Sequence, residues 1–469
     1  MNILNTVTES INQFSQKVRD IVQVTLNNIL SNIKPLDFAS LKRSSDKVNV
    51  IDKYVHTIKN LCSIAQSSGS PIKYTNQSVY LYNGRYWSLV PKDTCEHFLG
   101  AVAEASGFDY SKANYYCTKS KLFKQLQAEA YCEPEKQDPL TTFINLNNYT
   151  LRVSTNGIEM NPHSADDNLH YCLEFDYNPS AACPIFDKFL DEVLPDKEAQ
   201  RLLLEYMGYI FIKGLKLEKV LVLLGKGANG KSVLFDVITA LVGKHNTTNF
   251  KVGDLTYDRN YCRIKIENKL LNYDTDLKNS INAADFKVLA SNEPISARDI
   301  YKEPQMIYNY AKLIFNTNEL PDNGAESSDG YLRRFLILTF EVTIEESKRD
   351  VNLSKKIIAS ELAGVLNRAL EGAQRVIAQK GFSYCLASNQ AIREYQEEIS
   401  PVKEFIRVKQ YRASDEHRIT LRNLYSEFQI FYEDFSEIGF KQFSKELKKD
   451  FVVRCVGGKA RSVFIEHFD

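Results

Sequence analysis

Gly225 to Ser232 reads G-K-G-A-N-G-K-S, a glycine and four further residues before Gly-Lys-Ser. A loop of that spacing turns backbone N–H groups inward on phosphate oxygens. Its lysine, Lys231, reaches the β- and γ-phosphates, and its hydroxyl, on Ser232, ligates Mg2+. Gly225, Lys226, Gly227, Ala228, Asn229, Gly230, Lys231, Ser232 and Val233 are therefore the candidate site for ATP and Mg2+. The flanks fit. Val220 to Leu224 is an unbroken apolar run suited to a strand buried on both faces of a parallel sheet. Val233, Leu234, Val237, Ile238 and Leu241 recur at helical spacing, which puts a helix N-terminus behind the phosphates.

The following hundred or so residues supply the other groups an ATPase needs. "NKLLNYDTDL" (268–277) is a short apolar strand ending in Asp274 and Asp276, carboxylates that can hold the Mg2+ shell and orient the attacking water. Two solvated loop acids would read the same way. "AKLIFNTNELP" (311–321) is a second strand that delivers Asn318 to that sheet edge, where its amide can position water. An asparagine before Glu-Leu-Pro is also a turn former. "YLRRFLILTF" (331–340) puts Arg333 and Arg334 beside a third strand, as an arginine finger for a neighbouring nucleotide or as an ordinary surface pair. Lysine, acids, asparagine and arginines are each expected on the C-terminal side of an apolar strand, where open α/β sheets bind ligands.

These groups need a scaffold, and 469 residues are enough for roughly three domains. Lys plus Arg equals Asp plus Glu at 59 each, so any nucleic-acid contact must come from local clusters. The nine cysteines are scattered with no C-x-x-C pair, which predicts reduced thiols in a cytosolic protein and no zinc site. No apolar run is long enough to cross a bilayer, and Thr, Glu and Asn stand where a signal peptide would be basic and then apolar.

Along the chain, Leu4 to Ile33 has apolar residues three or four apart until Pro35, a long amphipathic helix that packs on its own domain or self-associates. Ser44 to Ala65 reads as a second helix. "VYLYNGRYWSLV" (79–90) alternates around Asn83-Gly84, a hairpin signal. Helix is expected over 93–130, strands over 142–163, and helix again over Phe186–Ile212 and Leu353–Gln379. After Ser400-Pro401, helices at 402–409, 420–433 and 440–449 precede two strands around Gly457-Gly458, a winged-helix outline.

From about Lys219 to Phe340 the chain resembles a superfamily 3 helicase, the compact AAA+ class of viruses and mobile elements. The "NYDTD" acids sit in its Walker B place, Asn318 in its sensor 1 place and Arg333-Arg334 in its arginine-finger place. Residues 144–190 resemble the N-terminal domain of poxvirus-type and phage or plasmid primase-helicases, and 400–469 their C-terminal winged helix. Thr275 separates Asp274 from Asp276, so which acid is base and which holds the metal stays open. The implied fold class is α/β, an AAA+ P-loop core between a helical and α/β N-terminal region and a winged-helix-like domain. The implied divisions are 1–70 (helical), 71–190 (α/β), 191–345 (ATPase core with leading helices), 346–399 (helical) and 400–469.

The resemblance implies a ring, a hexamer with 3′-to-5′ polarity, moving on single-stranded or forked DNA. The segment "ARDIYKEPQMIYNY" (297–310) falls where that family has a channel hairpin, which makes Arg298, Tyr301 and Lys302 candidate DNA contacts. Lys441, Lys445, Lys448, Lys449, Lys459 and Arg461 are basic candidates in the last domain, or one solvated face. A separate primase or polymerase would supply priming, and the host cytosol is the expected location. An AAA+ protein remodeller, an origin-binding ATPase and a P-loop small-molecule kinase are competing classes, the kinase having no use for paired arginines and a terminal winged helix.

Overall fold

The computed structural model describes residues 20–41, 49–133, 138–257, 261–275, 277, 281–300, 303–321, 329–398, 400–432, 438–456 and 460–467. Asp276, Tyr301, Lys302, Gly457, Gly458, Lys459 and residues 4–19 of the expected N-terminal helix lie outside them.

A helix over 20–31 turns Val22, Leu26, Ile29 and, just past its end, Ile33 into a core shared with Ile58 and Leu61 of Val50–Ser67, Leu99 of Lys92–Ala105 and Leu122 of Tyr116–Glu129. The apolar stripe of that helix is thus spent on its own domain. Against these helices lies an antiparallel sheet of Ile72–Thr75, Ser78–Tyr82 and Trp87–Val90. Its second turn is made by Asn83, whose side-chain oxygen accepts from the N–H groups of Arg85 and Tyr86 (3.0 Å each), and by Gly84 at φ 90°. One core spans residues 22 to 126, so no boundary at residue 70 divides this unit.

A second antiparallel sheet, Thr141–Asn145, Thr150–Ser154 and Gly157–Asn161, sends Ile144, Leu151 and Val153 into a different core. That core also holds Phe186, Leu203, Leu234 and Leu370, so these strands pack with the central domain. The expected helix over Phe186–Ile212 is two, Pro184–Val193 and Lys197–Tyr209, because Pro195 and the Asp196 cap restart the chain. Leu353–Gln379 is also two, Leu353–Ser360 and Leu362–Gln379. Glu361 between them is buried, and its carboxylate accepts from the N–H groups of Ile185 (3.0 Å) and Phe186 (2.9 Å), capping helix Pro184–Val193 from another part of the chain. Helices Lys197–Tyr209 and Leu362–Gln379 cross with glycines at the seam. A Cβ on Gly208 would lie 2.4 Å from the Ala369 carbonyl oxygen, and one on Gly372 2.3 Å from that of Leu204.

The centre is a five-stranded sheet ordered Phe335–Thr339, Val220–Leu224, Lys312–Thr317, Leu271–Asp274, Thr247–Thr248, with every pair parallel. By position in the chain the order is 5-1-4-3-2. Alternate residues serve two cores. Leu221, Leu223, Ile314 and Leu336 face helix Lys231–Val242 and the crossed pair, while Val220, Val222, Phe315 and Phe335 face Phe286 and Tyr395. Tyr395 belongs to helix Leu386–Glu398, which the sequence reading passed over. Its Ser388 hydroxyl accepts from the Ile337 N–H (3.2 Å).

Residues 402–465 have a core of their own around Phe405, Leu424, Phe428, Phe443 and Val463. Helices Pro401–Val408, Leu421–Phe431 and Phe440–Asp450 carry a three-stranded sheet of Ile419–Thr420, Ala460–Val463 and Val453–Val456. Among the described residues no helix is long and apolar enough to cross a membrane.

Candidate functional site

The first strand of the sheet delivers the glycine-rich loop. As Val220–Leu224 ends, the Gly225 N–H donates to the Thr317 carbonyl of the adjacent strand (3.1 Å). A Cβ at Gly225 would meet the Phe340 carbonyl oxygen at 2.6 Å, so the position admits no side chain. The loop turns through three left-handed residues, Gly227 (φ 105°), Ala228 (φ 51°) and Gly230 (φ 84°), and only the small Ala228 carries a side chain among them. Two bonds fix it from the far side. Asn229 donates to the Phe340 carbonyl (3.1 Å), and the Ile344 N–H donates to the Ala228 carbonyl (2.8 Å).

Helix Lys231–Val242 starts directly after Gly230, and no side chain caps it. Its first N–H groups and the positive end of its dipole are the kind of end that takes an anion. The Lys231 side chain is buried, its ammonium donates to the Gly225 carbonyl, and burial holds it below the usual lysine range.

Gly227 to Val233 line a cavity of ≈ 1680 Å³, and Asn318 lines it from the end of the neighbouring strand. Thr275 closes another part of the wall, and Asn316, held by the Tyr273 hydroxyl (3.0 Å), stands beneath. Gly225 and Lys226 are not part of the lining. Asp274 is also absent from it. It is 4% exposed, and its carboxylate accepts from the Val252 N–H (3.3 Å) where helix Val252–Thr256 begins. A strand-end acid beside a helix start is drawn to that partial positive charge.

The structure adds groups that the spacing analysis missed. Lys188 and Glu192 come from helix Pro184–Val193, and Lys348, Arg349 and Asp350 from the segment after the last strand. The second group had a sequence signal, the charged run "ESKRD" (346–350) closely following a buried strand. Arg349 Nε donates to the Ile344 carbonyl (3.0 Å), and Asp350 pairs with Lys356 (2.6 Å).

The arginine pair is at the opposite end of the sheet. Because all strands are parallel and Phe335 is level with Val220, Arg333 and Arg334 precede their strand and lie at its N-terminal end. The expectation that they share the C-terminal edge is therefore corrected. They are also unlike each other. Arg334 is 8% exposed and donates to the Lys287 and Gly330 carbonyls and to the Ser291 hydroxyl (3.1 Å). The Arg333 side chain is 62% exposed and pairs with Glu218 at 2.8 Å.

A hairpin does precede the fourth strand, with Ile295–Ala297 antiparallel to Gln305–Ile307. Arg298 donates to the Tyr261 hydroxyl (2.8 Å) and lies over its ring, so its guanidinium is engaged within the fold. The other two candidates, Tyr301 and Lys302, fall outside the described residues.

Residues 69–195 match a family model described as "D5 N terminal like", and residues 223–334 match one described as "Family of unknown function (DUF5906)". The chain is 21% identical over 165 residues to "Putative primase C962R" of African swine fever virus (isolate Tick/Malawi/Lil 20-1/1983), a match covering 33% of this chain and 17% of that protein. Among solved structures it is similar to "The apo structure of NrS-1 C terminal region" (13% identity, TM-score 0.49) and to "The A form apo structure of NrS-1 C terminal region-CTR" (14% identity, TM-score 0.46). Each covers 86% of this chain and 98% of the other. The sequence matches are thus to a D5 N-terminal-like model and to a viral protein described as a putative primase, each over about a quarter to a third of the chain.

Proposed function

We propose that the chain is the ATP-driven helicase part of a viral or phage-type DNA replication machinery, of the superfamily 3, AAA+ class. The observation that carries this reading is the 5-1-4-3-2 parallel sheet with the lysine-bearing loop on its central strand and Asn318 on the strand inserted beside it. That order brings an asparagine from residue 318 to the cavity of a loop at 225–232, the arrangement a water-positioning group needs. The unit at 401–467, three helices with a three-stranded and a two-stranded sheet among the described residues, fits a winged helix that touches duplex DNA or a partner.

The residues around the loop suit a nucleoside triphosphate. The uncapped helix start, the loop N–H groups and Lys231 would hold its phosphates, and the Ser232 hydroxyl would ligate Mg2+, which neutralises charge between the phosphates when bound. With Asp274 turned to Val252, the second strand-end acid, Asp276, is the better candidate for the metal shell and for orienting water. Asn318 orients that water from the adjacent strand.

Arg333 is the exposed member of its pair and lies on the side of the subunit away from its own loop. It is suited to reach the nucleotide of the next subunit in a closed hexameric assembly. Hydrolysis at that junction shifts neighbouring subunits and carries the hairpin at 295–307, with Lys302 as its candidate grip, along one DNA strand in the 3′-to-5′ sense. A separate primase or polymerase completes the machinery.

ATP hydrolysis by purified protein with and without single-stranded DNA, with Lys231→Ala as the blank, tests the reading. A Lys231-dependent rate that rises several-fold with DNA is expected. A Lys231-dependent rate indifferent to DNA would remove translocation and favour a protein-remodelling ATPase.

A further inference from the structure

A second cavity, ≈ 760 Å³, lies at the end of the central sheet opposite the glycine-rich loop, where strand Lys312–Thr317 begins and the N-terminal unit meets it. Five lysines from distant parts of the chain line it: Lys73, Lys213, Lys269 and Lys312, with Lys216 exposed at the rim. Lys73 and Lys312 are 8% and 6% exposed. Lys269 donates to the His245 carbonyl and Lys312 to the Asn292 side chain (2.7 Å), both neutral groups. Lys213 has neither a hydrogen bond nor an ion pair among the described residues and rests over the Tyr171 ring at 5.6 Å. Burial pushes its ammonium down to about 8.

The carboxylates on this wall, Glu129, Glu133 and Asp166, are exposed at the rim. Among the described residues Lys213, Lys269 and Lys312 have no ion pair, and cations gathered without a facing carboxylate raise each other's energy, which a bound anion relieves. His170 points the same way. The residue is part of the lining, its Nδ1 is out of solvent with no hydrogen-bond partner among the described residues, and burial together with Lys73 and Lys213 holds the ring well below the usual histidine range. A neutral imidazole nitrogen left without a partner is a vacant polar contact.

The surroundings identify the anion. Pro294 and Tyr308, which flank the two strands of the 295–307 hairpin, line the cavity, so it lies at the hairpin's foot. Tyr308 and Tyr131 stand at its mouth with 55% and 62% of their surface exposed. Ammonium groups on a floor with open aromatic rings above are what a nucleotide needs, phosphate below and base stacked on a ring.

We propose that this cavity holds a phosphate-bearing nucleotide unit of single-stranded DNA as the strand passes between the hairpin and the N-terminal unit. The proposal rests on the helicase reading and adds a second strand contact to it. Lys213 supplies the central phosphate contact, Lys216 on the rim an outer one, and Tyr308 the stacking surface.

The test is fluorescence anisotropy of a labelled oligothymidylate bound to the full chain with a non-hydrolysable ATP analogue, titrated with salt, for wild type, Lys213→Met, Lys213→Arg and Lys216→Ala. Lys213→Met is expected to bind five- to tenfold more weakly, with the slope of log K against log salt shallower by about 1, and Lys213→Arg to restore both. Lys216→Ala, on the exposed rim, is expected to lower affinity two- to threefold. Wild type that binds the oligonucleotide alongside variants of unchanged affinity and slope would overturn this site and leave the helicase reading standing. Wild type that binds no oligonucleotide would overturn the helicase reading itself. Lys213-dependent binding of free thymidine monophosphate, with oligonucleotide affinity untouched, would overturn the strand assignment in favour of a free nucleotide.

Discussion

Replacing Arg333 and Arg334 in turn separates two kinds of work done by neighbouring identical side chains. Arg334→Ala removes the donor from the Lys287 and Gly330 carbonyls and the Ser291 hydroxyl in a pocket only 8% open to water. At about 1 kcal/mol for each of the three hydrogen bonds lost, the loss is about 3 kcal/mol. For a domain of 150–250 residues that lowers the melting temperature by roughly 6–12 °C. Arg333→Ala removes one exposed pair with Glu218, with side-chain exposures of 62% and 38%, a contribution of about 0–1 kcal/mol. Its melting temperature should therefore stay within about 4 °C of wild type. Hydrolysis should show the reverse ranking. Removing a finger that completes the neighbour's site costs about 10³-fold or more in kcat, while ATP binding on the subunit's own loop persists. Thermal unfolding and steady-state ATPase on the two variants give both readouts. An Arg333→Ala protein that melts normally and hydrolyses ATP near the wild-type rate would refute the finger assignment. An Arg334→Ala protein within 1 °C of wild type would refute the account of its burial.

Glu267 offers a pH test: burial pushes its carboxyl up to about 7, and its Oε1 is buried without a partner. The folded chain keeps this proton between pH 4.5 and 7 while the unfolded chain has released it, so stability falls as pH rises through that window. Glu267→Gln should stabilise the protein by about 2 kcal/mol at pH 8, below the full linkage value of ~3 because the group is partly exposed, and by almost nothing at pH 4.5. An equal effect at both pH values in denaturant titrations would count against it. At the helix crossing, Gly208→Ala drives a methyl group against backbone atoms of Leu362–Gln379 and should cost about 1–3 kcal/mol. A denaturation midpoint unchanged from wild type would show that the helices can separate freely.

The sheet was readable because its strands are short apolar runs that end in turn residues. Val220–Leu224 fills the predicted span, and Leu271–Asp274, Lys312–Thr317 and Phe335–Thr339 fall inside theirs. The loop was legible for the same reason, since only glycine tolerates the φ of residues 227 and 230. Orientation was harder. Arg333-Arg334 sit before their strand, and only the parallel pairing of Phe335 with Val220 reveals that "before" means the far end of the sheet. Helix Leu386–Glu398 escaped because its sequence, LASNQAIREYQEE, is mostly polar and its few buried residues, such as Ala391 and Tyr395, make a weak stripe. That Asp274 also accepts from the Val252 N–H could not be read from the sequence, because 22 positions separate the two residues. The lysine cavity was not readable at all. Its members are separated by up to 239 positions, from Lys73 to Lys312, and nothing in their local spacing marks them as neighbours.

The strand order also bears on how the chain is made. Val220–Leu224 is flanked in the sheet by Lys312–Thr317 and Phe335–Thr339, neither of which has been synthesised when it leaves the ribosome. At about 5–20 residues per second, a strand with apolar side chains on both faces waits roughly 5–20 s for its first neighbour. Through that interval it has two unpaired edges and is open to association with other nascent chains. Fragments ending between residues 225 and 311 lack both flanking strands and should be recovered as aggregates, so a soluble nucleotide-binding fragment has to extend past Thr339.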